Sequence, residues 1–409
     1  MTAMLRNSRR PSAEAIYLDY QATTPVDPRV LEAMLPYFGE RFGNPHSTGH
    51  AFGLEASDGV EAARAEIAAL IGAEAREIVF TSGATESNNI AIKGAARFLK
   101  ERRNRIVALA TEHKCVLESV RDLGREGFEI EILPVESSGL VDLGRLEAAL
   151  DERTALVSVM AANNEIGVIQ DLAAIGALCR AKGVLLHSDA AQAFGKVPLD
   201  VQAMRLDLVS ISGHKLYAPK GIGALYVRHR PRVRLEALFS GGGQERGVRS
   251  GTLSPALCVA LGMAARLAAV EMAVEAARLR ALSQRLRARL GEAGIDFAVN
   301  GDAERRLPGN LNLSFPGVAA LDLISALPDL ALSTGSACSS AEIEPSYVLT
   351  ALGIDRGRAD GAVRIGFGRF TIEAEIDRAA AQIGAAVRSL AEAGGARHIA
   401  DVAMLSQSD

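Results

Sequence analysis

The sequence predicts an α/β protein with a parallel sheet and a second, smaller domain. Between residues 77 and 228, short apolar runs rich in β-branched residues alternate with helical stretches. Runs that are apolar throughout are typical of strands covered on both faces, and the intervening helices provide the crossovers that parallel strands need. After residue 255 the pattern changes to a long helical stretch and then to shorter strand-like pieces, which indicates the second domain.

Each predicted element can be placed along the chain. The seven apolar runs are EIVFTSG (77–83), RIVALAT (105–111), FEIEILPV (128–135), ALVSVMAA (155–162), VLLHSDAA (184–191), LDLVSISG (206–213) and GALYVR (223–228). The long helical stretch, rich in Ala, Leu and Arg, runs to about residue 292, and NLNLSF (310–315) and AVRIGFG (362–368) are the later strands.

Length and charge narrow the function classes. A chain of 409 residues exceeds one ordinary core, so we expect two domains. The formal charge is only −4 with both signs interspersed, which argues against nucleic acid or a membrane surface as partner. We find no signal-peptide pattern and no apolar run long enough for a membrane span, so we expect a cytoplasmic protein. The four cysteines lie too far apart for zinc or redox motifs, and no metal site is expected.

Polar residues follow the strand-like runs, where ligands bind in parallel α/β sheets. These residues are Thr85, His113, Asn164, Asp189 and Lys215. Each has an ordinary alternative: Ser and Thr beside Gly make turns or helix caps, histidines pack or face solvent, paired asparagines form turns, and lysines are usually solvated.

Three of these features together indicate a pyridoxal phosphate enzyme. The stretch SGATES follows a buried run and precedes a helix, an arrangement that presents free backbone N–H groups to a phosphate. Asp189 follows an apolar run, so its carboxylate needs a hydrogen-bonded or cationic partner. Lys215 lies where burial could lower its pKa enough for Schiff-base chemistry. The cofactor needs all three features, although an unspecified α/β enzyme remains the alternative on these grounds.

An ordered set of motifs resembles the cysteine desulfurases of the NifS and IscS type, in the class V aminotransferase group of fold-type I enzymes. The motifs, between about residues 17 and 369, are YLDYQATTPVDPRV, FGNPHSTGHAFG, EIVFTSGATESNN, TEHKCVLES, NNEIGVIQ, HSDAAQAFGK, SISGHKLYAPKGIGALYV, GGGQERGVRSGT and STGSACSSAEIEPSYVLTALG. The resemblance implies an aspartate-aminotransferase-like fold whose large domain (26–270) holds a mostly parallel seven-stranded sheet. Residues 1–25 and 271–409 would form a smaller α+β domain.

The resemblance also implies the residues that bind pyridoxal phosphate. Lys215 would carry the cofactor and later act as the base at the substrate Cα, Asp189 would hold the ring nitrogen, and His113 would stack on the ring. The remaining implied contacts are Gln192 at the phenolic oxygen and Ala84, Thr85, Ser212, His214 and Thr252 at the phosphate, with Asn164 also at the cofactor. Because the family's counterpart of Thr252 reaches the other subunit, a homodimer is implied.

Substrate and sulfur chemistry follow from the same resemblance. Asn164 and Arg364 would bind the carboxylate of L-cysteine, although Arg369 lies only five residues further on. Cys338, in TGSAC, matches the family's nucleophile, which takes the sulfur as a persulfide while alanine leaves. Cys179 and Cys258 fit core positions better, and Cys115 is given no role. The sulfur acceptor would be a protein such as an iron–sulfur scaffold.

Two other functions remain open at this stage. An aminotransferase or lyase of the same fold could act on another amino acid, but a nucleophilic Cys338 argues against it. A binding protein could have kept the fold without catalysis, which the presence of Lys215, Asp189 and Cys338 argues against. The short-loop motif R-x-G-H-H-C is absent, which favours the long-loop type of desulfurase, and the C-terminal segment GGARHIADVAMLSQSD does not resemble the family's scaffold-binding extension.

Overall fold

The computed structural model describes residue 12, residues 14–334 and residues 346–405, with the backbone alone for 394–405. Its centre is a seven-stranded sheet in the order β2-β8-β7-β6-β5-β3-β4. The strands are β2 (Ile78–Thr81), β3 (Arg105–Leu109), β4 (Glu129–Leu133), β5 (Thr154–Ser158), β6 (Leu185–Asp189), β7 (Leu208–Ser212) and β8 (Gly223–Val227). Each lies within one of the seven apolar runs, except that β5 begins one residue before its run, so the predicted sheet is confirmed.

Pairing within the sheet is parallel except at one strand. The pairs β3–β4, β3–β5, β5–β6 and β6–β7 are parallel, whereas β8 is antiparallel to both β7 and β2. Only residues 213–222 connect β7 to β8, and a parallel crossover needs a longer connection. Because β8 reverses the direction on either side of it, β2 runs the same way as β7.

Helices cover both faces of this sheet, and further helices follow in the second part of the chain. They are α1 (Pro28–Met34), α2 (Ala51–Leu70), α3 (Ala84–Leu99), α4 (Lys114–Arg125), α5 (Leu143–Ala149), α6 (Leu172–Lys182), α7 (Pro255–Glu292), α8 (Ala320–Ala326), α9 (Tyr347–Ala351), α10 (Arg356–Asp360) and α11 (Glu373–Leu405). Short 3-10 turns lie at Leu35–Phe38, Ala75–Glu77, Gly213–Lys215 and Glu245–Gly247. The long predicted helix is therefore confirmed as α7.

Smaller sheets lie outside the central one. Strand β10 (Asn310–Ser314) pairs antiparallel with β12 (Ala362–Gly366) and with β9 (Ala298–Val299). Strand β1 (Ile16–Tyr17) pairs parallel with β11 (Leu330–Ala331), which brings the start of the described chain beside its later part. Strands β10 and β12 occupy the two predicted later runs.

Two hydrophobic cores meet along α7. Its first half contributes Leu261 and Ala265 to the core under the central sheet, whereas its second half contributes Leu282 and Leu286 to a core around β10 and β12. Ile16 joins the second core. This distribution supports a division within α7, and the limits 26–270, 1–25 and 271–409 stay a prediction.

The sequence shows no unbroken apolar run of membrane-span length, because Arg266 and Glu271 interrupt α7, but a helix can also meet the test by its average composition. Among the described residues, α7 is long and apolar enough to qualify. The core helix of a soluble protein meets the same test, and α7 packs against α1, α2 and α11 while supplying buried residues to both cores. Its apolar character therefore has an explanation in protein packing.

Candidate active site

The predicted site residues meet at one edge of the central sheet. Strands β2, β3, β5, β6 and β7 run in the same direction, so their carboxyl ends lie side by side. Asp189 is the last residue of β6, and Lys215, His113 and Asn164 lie three, four and six residues after the ends of β7, β3 and β5. This is the edge where α/β sheets bind ligands.

The first turn of α3 provides free N–H groups beside an open space. Its N-cap is Gly83, so no side chain caps the helix, and the alternative in which Ser or Thr serves as the cap is wrong here. Gly83 has φ 151°, and a Cβ on it would meet no atom within 4 Å. Ala84 and Thr85 open the helix, with Thr85 exposed. A helix start of this kind binds anions through its N–H groups and its dipole.

Asp189 is the last residue of β6 and is only 4% exposed. Its Oδ2 accepts a hydrogen bond from Asn88 Nδ2 at 2.7 Å, and its Oδ1 accepts from the N–H of Ala191 at 2.9 Å. The expectation that this buried carboxylate is hydrogen-bonded is confirmed. These bonds also fix the direction in which the carboxylate points.

His113 is the N-cap of α4 and lies close to a second thiol. Its Nδ1 accepts from the N–H of Cys115 at 3.2 Å and lies 3.0 Å from Cys115 Sγ. Burial lowers the pKa of His113, and the Asp189 carboxylate offsets part of that effect, so the imidazole is neutral near pH 7. Burial raises the pKa of Cys115 to about 12, so this residue is a thiol rather than a thiolate.

Lys215 projects from the 3-10 turn after β7. Its Nζ donates to the carbonyl oxygens of Gln21 and Ala22 at 2.6 and 2.7 Å. Gln192 Nε2 donates to the same Gln21 carbonyl at 2.9 Å, and Gln192 Oε1 accepts from Lys196 Nζ at 3.2 Å. The backbone carbonyl of Gln21 therefore accepts hydrogen bonds from two predicted cofactor-binding side chains, those of Lys215 and Gln192.

Asn163 and Asn164 have separate roles. Asn163 Oδ1 accepts from the N–H groups of Glu165 and Ile166, which is the turn that paired asparagines predict. Asn164 Oδ1 is buried and has no hydrogen-bond partner among the described residues. An orphaned buried acceptor of this kind is costly unless a ligand satisfies it.

Arg364 and Arg369, five residues apart, face different surroundings. Arg364 Nη1 donates to the carbonyl of Asn164 at 3.0 Å, and its Nη2 contacts Asp19 at 2.7 Å. Arg369 instead contacts Asp27 at 2.7 Å and Glu275 at 2.9 Å. Arg364 alone of the two therefore lies beside the predicted substrate-binding asparagine.

The other predicted phosphate contacts differ in exposure. Ser212 is buried at the end of β7, and His214 Nδ1 lies 3.0 Å from Thr23 Oγ1. Burial, helped by the charge on Lys215, lowers the pKa of His214 to about 4, so its ring is neutral and can donate one hydrogen bond. Thr252 is exposed just before α7.

These residues fit pyridoxal phosphate. The uncapped α3 suits the phosphate, the oriented Asp189 carboxylate suits a protonated ring nitrogen, and the Lys215 amine suits an aldehyde. The orphaned Asn164 oxygen leaves an acceptor for a ligand. Cys338 lies outside the described residues.

Several residues of the site had no predicted role. They are Asp19, Gln21, Asn88, Glu112 and Glu165, all within or beside quoted motifs. Asn88 and Glu165 lie in SGATESNN and ANNEIG as polar residues in segments that fold to the interior, where a polar side chain needs a partner. That signal was available in the sequence, but it does not identify the partner.

Comparisons with known proteins agree with this geometry. Residues 16–379 match the family described as aminotransferase class-V. The chain is 55% identical over 364 residues to cysteine desulfurase IscS of Rickettsia bellii (strain OSU 85-389), covering 89% of each chain. It is 54% identical over 367 residues to the cysteine desulfurase of Homo sapiens, covering 90% of this chain and 80% of that one.

Solved structures show the same fold. A NifS-like protein is 37% identical with a TM-score of 0.84, over 90% of this chain and 98% of its own. SspA in complex with cysteine is 35% identical with a TM-score of 0.77, over 87% of this chain and 99% of its own. The chain thus has the fold of NifS-like enzymes and belongs to the class-V aminotransferase family, among its pyridoxal-phosphate-dependent cysteine desulfurases.

Proposed function

We propose that Lys215, Asp189 and His113 form the reaction centre at the cofactor and that Cys338 accepts the sulfur of L-cysteine. Pyridoxal phosphate, when bound to Lys215, supplies an electron sink for the bonds at the substrate Cα. The single observation that carries this proposal is the arrangement at β6 and β7. The buried Asp189 carboxylate ends β6, and the Lys215 amine follows β7 within three residues, beside the uncapped start of α3.

The surroundings of each group support its role. Hydrogen bonds from Asn88 and from the N–H of Ala191 orient the Asp189 carboxylate, so that it can accept a hydrogen bond from the protonated ring nitrogen of the cofactor. The neutral His113 ring can lie against a flat cationic ring without charge repulsion. Lys215 Nζ donates hydrogen bonds to two backbone carbonyls in this structure. It is the base that we propose moves the proton at the substrate Cα.

The substrate carboxylate is proposed to bind between Asn164 and Arg364. Arg364 is 3% exposed and offers a planar fork of donors that matches a carboxylate. Its contact with the Asn164 carbonyl holds it in place, while its contact with Asp19 lowers the excess positive charge. Arg369 is fully engaged with Asp27 and Glu275, which supports Arg364 as the binding residue.

The sulfur step is proposed to occur at Cys338. The Cys338 thiolate attacks the substrate sulfur, an S–S bond forms, the substrate C–S bond breaks, and its electron pair stays on Cβ and takes up a proton. L-Cysteine and one thiol thus give L-alanine and one persulfide, without an external oxidant. Among the described cysteines, burial raises the pKa of Cys115, Cys179 and Cys258, which makes them poor nucleophiles.

Replacing Cys338 tests this assignment. Cys338→Ser holoenzyme should keep its cofactor absorbance but lose more than about 100-fold in alanine and sulfide release from L-cysteine, since a hydroxyl cannot accept sulfur. Cys179→Ala, at a buried core thiol, is the matched control and should retain the parent rate. Alanine release at the parent rate by Cys338→Ser would remove Cys338 from the mechanism.

We further propose which kind of protein accepts the sulfur, in which compartment this happens, and that the enzyme is a dimer. Curated relatives carry the name IscS, and by analogy the acceptor is an iron–sulfur scaffold protein in the cytoplasm. A homodimer is proposed because the family's counterpart of Thr252 reaches the other subunit, and Thr252 is exposed in this chain. Size-exclusion chromatography with light scattering checks the dimer, and a dilution-independent monomer would contradict it.

A further inference from the structure

We propose that Ser346 and Tyr347 are positioning residues for sulfur transfer: they attach the chain just after the segment that bears Cys338 to the loops that carry His113 and Asn164. The inference rests on the proposed function of Cys338. It concerns two side chains with no assigned part in binding cofactor or substrate.

Two consecutive residues contact two separate loops of the site. Ser346 Oγ donates a hydrogen bond to the carboxyl of Glu165, which follows Asn164 in the chain. Tyr347 Oη donates to the carbonyl oxygen of Glu112 at 2.8 Å, and Glu112 precedes His113. The chain at 346–347 is therefore fixed relative to both a proposed substrate ligand and the proposed ring-stacking residue.

The contact between Ser346 and Glu165 is buried. Ser346 is 7% exposed and Glu165 is 2% exposed. A buried hydrogen bond whose partner is lost leaves a polar group unsatisfied, so such contacts hold their geometry more firmly than exposed ones. Ser346 Oγ also accepts from the N–H of Val348 at 3.2 Å as the N-cap of α9, so one hydroxyl ties the helix start to the Asn164 loop.

Apolar packing strengthens the same attachment. Val348, Leu349 and Leu352 form one buried cluster with Ile166 and Val168, two and four residues after Asn164. The start of α9 therefore packs on the Asn164 loop as well as bonding to it. Close packing of this kind resists small displacements.

The other described flank of residues 335–345 is also held beside the site. The backbone of Ser333 pairs with that of Arg364, with N···O distances of 2.7 and 3.4 Å. The chain thus leaves the described structure next to Arg364 and returns next to Asn164. Ser333 and Ser346, the described residues on either side of the segment that bears Cys338, are therefore both attached at the proposed carboxylate clamp.

Fixed attachment points raise the effective concentration of the thiol at the substrate. A displacement of about 1 Å in a reacting group can lower a rate by about 100-fold, so a loosened attachment should slow sulfur transfer. Chemistry at the substrate Cα that does not need Cys338 should not respond. This difference separates positioning of Cys338 from general support of the site.

The test compares two rates in the same holoenzyme preparations of Tyr347→Phe, Ser346→Ala and the double variant. The first is alanine release from L-cysteine, which needs Cys338. The second is hydrogen–deuterium exchange at the Cα of L-alanine in D2O, which needs the cofactor, Lys215 and the carboxylate clamp but not Cys338. We expect alanine release to fall about 10-fold in the double variant while Cα exchange and cofactor absorbance stay within about twofold of the parent.

Controls separate the alternatives. Tyr37→Phe removes a hydroxyl in the 3-10 turn after α1, outside the attachment at 346–352, and should leave both rates unchanged, and Ser346→Thr, which keeps the hydroxyl, should keep alanine release near the parent rate. Parallel loss of both rates, or no loss in either, overturns the positioning role. Cys338→Ser is measured alongside: its full activity would mean that the proposed function has failed, whereas its inactivity with parent-like Ser346 and Tyr347 variants would overturn this inference alone.

Discussion

Two arginines five residues apart have different proposed roles because different side chains surround each guanidinium. Arg364 lies in β12 with its guanidinium between Asn164 and Asp19. Arg369 lies over the Tyr217 ring, 4.3 Å from its centroid, and is paired with Asp27 and Glu275. Sequence spacing could not separate them, because the difference arises from which loops pack around each guanidinium.

This difference predicts unlike outcomes for the same substitution. Arg364→Lys should raise the KM for L-cysteine at least about 10-fold, since one ammonium cannot replace a bidentate fork. Arg369→Lys should mainly lower stability, with KM within about threefold of the parent. Steady-state kinetics and thermal unfolding of both variants give the comparison, and a larger KM effect at Arg369 would contradict the assignment.

The site residues predicted from motifs owe their positions to the order of the strands, whereas those found only in the structure owe theirs to tertiary contacts. Asp189 ends β6, and Lys215 and His113 lie within four residues of the ends of β7 and β3, so their meeting could be predicted from the order of strands. Asn88, Glu112 and Glu165 act through partners distant in sequence, such as Asp189 for Asn88 and Ser346 for Glu165. Their side chains are polar in buried segments, but only tertiary packing determines which partner each one meets.

At the scale of elements, a buried ion pair connects α2 to the segment that precedes Thr252. Arg64 donates two 2.8 Å hydrogen bonds to Glu245, and Glu245 also accepts from the N–H of Phe80 at 2.7 Å. Arg64 is 4% exposed and Glu245 is 6% exposed. The pair therefore fixes the QERGVRSGT segment against β2, just ahead of the uncapped start of α3.

Removing one member of this pair should be costly. Glu245→Ala should lower the free energy of unfolding by about 3 kcal/mol or more, because it leaves the Arg64 guanidinium buried without its partner. Glu61→Ala removes the more exposed carboxylate beside Arg64 and should cost less than about 1 kcal/mol. Urea unfolding followed by circular dichroism measures both, and equal losses would contradict this account of the pair.

Periodicity predicts the elements themselves well and their pairing less well. Every apolar run became a strand of the central sheet because burial on both faces demands continuous apolar character. The antiparallel direction of β8 follows from the short 213–222 connection, a length that can be read from the sequence once the strands are known. The pairing of β1 with β11 joins residues more than 300 apart, and no local pattern indicates it.

In the molecule as a whole, α7 joins two cores, and a buried, neutral histidine inside the central sheet limits stability in acid. His187, fully buried in β6, lies 2.9 Å from Ser158 Oγ and 3.0 Å from Ser210 Oγ. Burial lowers its pKa to about 3. The unfolded chain therefore binds a proton at this site between about pH 6.5 and pH 3 that the folded chain does not, so stability falls as pH falls through that window.

His187→Asn should remove this dependence. Between pH 6 and pH 4 the parent should lose about 1.4 kcal/mol per pH unit more than the variant, the value for one proton. His46→Asn, at an exposed position, is the control and should follow the parent. Urea midpoints at several pH values measure the slopes, and an unchanged slope in His187→Asn would contradict the assignment.

Chemistry at Lys215 should place the substrate sulfur on Cys338, and peptide mass spectrometry can detect that sulfur. Holoenzyme is incubated with L-cysteine, blocked with an alkylating agent and digested. We expect one extra sulfur on the Cys338 peptide of the parent and of Lys220→Ala, an exposed control, but none in Lys215→Ala. Extra sulfur on Cys115, Cys179 or Cys258 instead, or on Cys338 without Lys215, would contradict it.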